Sequence, residues 1–72
     1  MFSEIAFDRE TRLTMTRALN DAWHELQGLL GGDPLDADGT REKLARRITA
    51  AALRGERDPE QLKLRALGVK KH

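Results

Sequence analysis

Met15, Leu19, Ala22, Leu26 and Leu29 follow one another at steps of four, three, four and three residues, a spacing that an α-helix gathers onto one face. Ala18, Trp23 and Leu30 widen this stripe to an arc of about 140°, with Arg17, Asn20, Asp21, His24 and Gln27 on the other side. Asp8 stands ahead of the run as an N-cap, and Glu10 falls in the first turn, where the helix dipole favours an acid. Gly31 and Gly32 end it, since glycine takes the left-handed conformation after a helix without steric cost. The spacing therefore predicts a core-facing first helix of about five to six turns.

The remainder is punctuated in the same way. Residues 31 to 39, Gly-Gly-Asp-Pro-Leu-Asp-Ala-Asp-Gly, read as a loop. Thr40 or Asp38 then caps a second helix running through Arg54, with Leu44, Ile48, Ala51 and Ala52 as its apolar stripe and Glu42 four residues before Arg46 for an ion pair. Gly55 stops it. Asp58-Pro59-Glu60-Gln61 is a strong start signal: an N-cap acid, Pro where no helical donor is lost, and Gln at the reciprocal capping-box position. The short third helix ends near Gly68, ahead of a basic tail of Lys70, Lys71 and His72. One Val, two Ile and no alternating run leave nothing that reads as a strand. The expected fold is all-α: a small three-helix bundle forming a single domain over residues 1–72, with 1–7 and 69–72 as loose ends.

The second half, Leu44-Ala45-Arg46-Arg47-Ile48, then Ala51-Ala52 and Gly55-Glu56-Arg57-Asp58-Pro59 with Leu62, Ala66 and Leu67, resembles a group of short bacterial helical proteins of unassigned function. They share a helix that ends in a GERDP-like turn followed by a brief helix. Phe7-Asp8 and Ala22-Trp23 fit the group loosely. The resemblance implies a bacterial cytoplasmic protein and brings no catalytic residue, cofactor or partner with it.

A chain of 72 residues buries only about 60% of the surface that its unfolded form exposes, so its stability is marginal. Nine of its apolar residues are Ala, and only Phe2, Phe7 and Trp23 are aromatic. The absence of Cys excludes disulfides and thiolate zinc sites, the usual staples of a small domain, and makes a partner subunit attractive. No apolar run approaches the roughly 20 residues that span a bilayer, and no secretory signal is evident. The expectation is a soluble cytoplasmic protein without membrane association. Charge is uneven: residues 1–39 carry three basic and eight acidic side chains, residues 40–72 ten basic and four acidic. Pairing of the two halves within the bundle, antiparallel association of two copies, or a basic surface for a polyanion would each use this asymmetry.

Chemistry finds little purchase. Ser3 is the only serine and the only histidines are His24 and His72, too few for a nucleophile, a base and a group to orient the base. Asp36-Ala37-Asp38-Gly39 resembles part of a calcium loop. With Gly39 at the sixth position, however, the first and twelfth fall on Pro34 and Ala45, which offer no side-chain oxygen; capping explains these acids better. Asp21 and His24 share a helix face at metal-ligand spacing, but a single pair on the polar side reads as solvated surface. No catalytic, cofactor-binding or metal-binding residue is assigned, and the expectation is a non-catalytic protein.

What remains is a small interaction module with an apolar working surface, self-associating as a homodimer or docking on a different protein in a regulatory or adaptor role. Leu13 and Leu53 lie off the stripes of their own helices, and Leu64 and Leu67 lie on a third-helix face opposite Leu62, Ala66 and Val69. These four leucines are the expected partner contacts. The seam of Met15, Leu19, Ala22, Trp23, Leu26 and Leu29 serves the core, a second copy, or both. The alternative is a nucleic-acid-binding protein using Arg41, Lys43, Arg46, Arg47, Arg54, Arg57, Lys63 and Arg65, although these spread around the second helix rather than forming one stripe.

Overall fold

A computed structural model describes residues 2 and 4–68. The chain is an all-α three-helix bundle: α1 spans Arg9–Leu30, α2 Ala37–Leu53 and α3 Pro59–Ala66, and each helix packs against the other two. No strand occurs among the described residues. The expected loose ends at Met1, Ser3 and 69–72 lie outside the described residues, as does the expected place of Val69 on the third helix.

Each helix start is a side chain satisfying orphan backbone donors. Asp8 Oδ1 accepts from the Thr11 amide at 2.8 Å, as its position predicts. At the other end of α1, Gly31 adopts φ 72°, and its amide and that of Gly32 both donate to the Gln27 carbonyl. The cap of α2 is Asp36, not Asp38 or Thr40: its Oδ1 accepts from the Gly39 amide at 3.0 Å, and Asp38 and Thr40 fall in the first turn. Gly39 permits this, because a Cβ there would collide with the Asp36 carboxylate. In α3 the Asp58 carboxylate accepts from the Glu60 amide at 3.0 Å, with Pro59 at the first helical position. The Asp58 amide itself donates at 3.1 Å to Glu56 Oε1, so Glu56 performs the reciprocal task expected of Gln61. The same Glu56 oxygen accepts from the Arg57 amide, fixing the turn from the upstream side.

Met15, Ala18, Leu19 and Ala22 of α1, Leu44, Ile48, Ala51 and Ala52 of α2, and Leu62 and Ala66 of α3 form one buried core. Alanines on all three helices let the axes approach closely. Phe7 joins that core, which corrects the expectation of a loose segment over residues 1–7. Phe2 also packs against it, and Arg12 pairs with Glu4 at 3.4 Å. These ties hold the chain ahead of α1 against the bundle.

Candidate protein-contact surface

The described seam residues divide along α1. Met15, Leu19 and Ala22 are fully buried, Trp23 and Leu26 are half-buried against the core, and Leu29 is 76% exposed. The four-three seam is therefore a core seam over its first half: α2 and α3 cover it within the same chain, leaving Met15, Leu19 and Ala22 nothing to offer a second copy. It fails at Leu29, in the turn of α1 that follows Glu25, which pairs with Lys63 of α3 at 3.1 Å.

Of the four expected contact leucines, two stand in the open and two do not. Leu13 is 61% exposed and Leu53 67%. Leu64 is half-buried, and Leu67 is half-buried and packed against the core. The second face of α3 is thus partly spent inside the bundle; a free Leu64–Leu67 face is not what forms.

Leu13 and Leu53 belong to different helices, yet both border Phe2. Leu53 lines an open groove of about 680 Å³ along the outer side of α2, together with Phe2, Ala45, Thr49 and Ala50. Leu13 lines a smaller cleft with Phe2 and Thr16 on α1. Phe2 is common to both, so an apolar strip crosses from α1 to α2 with this aromatic ring in the middle. Asp38, Arg41, Glu42 and Arg46 edge the groove on one side, Arg9 and Arg12 the cleft on the other. Sequence reasoning missed Phe2 because its position near the chain start reads as loose; the signal available was the aromatic pair Phe2 and Phe7 in a chain with three aromatic residues.

The basic residues of the second half mostly have work within the chain. Arg41 lies over the Trp23 ring at 5.4 Å from its centroid, a cation–π contact. Arg46 pairs with Glu42 at 2.6 Å, in the helical spacing the sequence predicts. Arg47 Nη1 donates to the Ala66 carbonyl at 2.9 Å. Arg57 Nη1 donates to the carbonyls of Ala52 and Glu56 at 2.5 and 3.0 Å. Lys63 is held between Glu25 and Glu60, each at 3.1 Å, and hydrogen bonds to these carboxylates, Glu25 first, raise its pKa above the ordinary lysine value. The Lys63–Glu25 bridge joins the basic half to the acidic half. Lys43, Arg54 and Arg65 are exposed, the last two beside a cleft with Glu56.

Asp21 and His24 are exposed on α1, and among the described residues no three acidic, His or Cys side chains gather to hold a metal ion. No helix, among the described residues, is long and apolar enough to cross a membrane. No protein-family model, curated protein or solved structure matches the chain.

Proposed function

We propose that this chain is a non-catalytic helical interaction module that self-associates as a homodimer, doing regulatory or adaptor work. The observation that carries the reading is the apolar strip of Leu13, Phe2 and Leu53. A domain of 8.1 kDa has little apolar area to spare for its own core. Leaving two leucines and an aromatic edge together on one side is costly unless something covers them. A second copy is the occupant favoured by charge, because the groove carries Asp38 and Glu42 as well as Arg41 and Arg46 and so offers both signs to a partner with the same surface. A bacterial cytoplasmic setting is part of the same proposal.

The test is the double variant Leu13→Ser with Leu53→Ser. Both side chains are mostly solvent-exposed, so the variant keeps its helical circular dichroism while its light-scattering mass falls to that of one chain. An unchanged mass would remove this surface from the account. A monomeric native protein with the strip intact would instead point to a different protein as the occupant.

Nucleic-acid binding is a second reading, favoured by the exposure of Lys43, Arg54 and Arg65. It is the weaker one, because Arg41, Arg46, Arg47, Arg57 and Lys63 are engaged within the chain.

A further inference from the structure

The basic residues of α2 separate into two sets by their contacts. Arg41 lies over the Trp23 ring and Arg46 pairs with Glu42. Lys43, Arg47 and Arg54 remain, all exposed and spaced by four and then seven residues. At the helical turn per residue they fall within about 40° of one another. The scatter of cations around α2 therefore comes from Arg41 and Arg46, and the others form one stripe about 16 Å long by the rise from residue 43 to residue 54. α3 adds to it. Arg65 shares a cleft with Arg54, and Arg47 reaches the Ala66 carbonyl with one of its guanidinium donors. Lys43, Arg54 and Arg65 have no side-chain partner among the described residues. The carboxylate in the shared cleft, Glu56, already accepts from the amides of Arg57 and Asp58. Lys63, two positions before Arg65, turns instead to Glu25 of α1.

We infer that this flank, with Lys43, Arg47, Arg54 and Arg65, binds the phosphodiester backbone of a nucleic acid. This rests on the nucleic-acid reading above and gives it one site. Cations in a row suit a partner whose own charges come in a row. One strand of a duplex places a phosphate about every 3.4 Å along its axis, so the stripe runs beside roughly five of them. The same arc of α2 carries no large apolar side chain, the anchor that a protein partner or a membrane surface would need. Arg47 keeps donors free after its bond to Ala66, because a guanidinium has five. The contacts are to phosphate, so binding does not depend on base sequence.

The test is fluorescence polarisation of the full chain with three labelled probes, a single-stranded DNA, the duplex of the same sequence and the matching RNA, each over a range of salt. The slope of log affinity against log salt on the duplex is expected to be about −3 to −4, one counterion released for each of the four cations. Lys43→Ala, Arg54→Ala and Arg65→Ala should each make that slope shallower by about 1, and Arg46→Ala should leave it unchanged. Reversing all three to Glu is expected to abolish binding to every probe and to keep the helical circular dichroism, since these side chains are exposed. Arg47 stays in place because it also fastens α3. If the triple variant loses its helicity, the slopes of the single variants decide. Native affinity in a folded triple variant, or slopes unmoved by the three alanines, overturns this site and leaves the nucleic-acid reading standing. No polarisation change with any probe at low salt removes both. Capture on phosphatidylserine vesicles with no nucleic acid bound would make an anionic membrane the partner and likewise overturn the proposal.

Discussion

The guanidinium of Arg47 on α2 donates to the carbonyl of Ala66, the last residue of α3, across nineteen positions of sequence. A helix leaves its final carbonyls without intrahelical donors, and here a cation from another helix supplies one while complementing the negative end of the dipole. The eight residues of α3 cannot hold together alone in water. They persist because Asp58 and Pro59 fix the start, Leu62 anchors the middle and Arg47 fastens the end.

Arg47→Ala is therefore expected to destabilise the fold by about 1 kcal/mol, the scale of one partly exposed hydrogen bond with a charged donor. Arg46→Ala, which removes only a surface pair within one helix, should cost no more than about 0.5 kcal/mol. Urea denaturation of the two variants checks the order; equal losses would mean that the Ala66 contact adds nothing.

Leu62→Ala is expected to cost about 2 to 5 kcal/mol, since Leu62 is fully buried and is the largest side chain that α3 gives to the core. For a domain this small that is a large part of the total stability. Loss of helicity at 25 °C in circular dichroism is the expected result.

Gly28 and Gly39 both lie in helices, and Ala should act differently at each. A Cβ at Gly28 meets open space, so Gly28→Ala gains helix propensity and stabilises by about 0.5 to 1 kcal/mol. At Gly39 the same Cβ displaces the Asp36 carboxylate from its cap. The cap lost is worth about 1 kcal/mol and offsets the propensity gained, so Gly39→Ala should not stabilise. Melting curves of the two variants decide it.

Two ionisations set pH limits. Hydrogen bonding to Thr11 lowers the Asp8 pKa below its ordinary 3.8, so the cap's contribution is present above that value and is lost as pH falls through the lower folded-state pKa. Lys63 is shifted the other way by Glu25 and Glu60, from an ordinary 10.5 upward. Its contribution is complete below 10.5 and disappears as pH rises through the higher folded-state pKa. Asp8→Asn should flatten the acid limb of a stability–pH curve, and Lys63→Gln the alkaline limb.

The fold was legible because each helix announces itself locally. The four-three spacing of α1, the Asp8 cap and the Asp58-Pro59 start all formed as their residues predict. The departures arise where helical periodicity does not reach. Asp36 became the cap of α2 because Gly39 makes room for its carboxylate, and Phe7 became core because the chain before Arg9 folds back on the bundle. Of the contact surface, Leu13 and Leu53 were visible as residues off their stripes. Their common neighbour Phe2 was not, since no periodicity governs a segment ahead of the first helix.

Sedimentation equilibrium of the native chain over a range of micromolar concentrations tests the central claim most directly. The account predicts a mass that rises with concentration from 8.1 kDa toward twice that value. A mass fixed at that of a single chain at every concentration would contradict it.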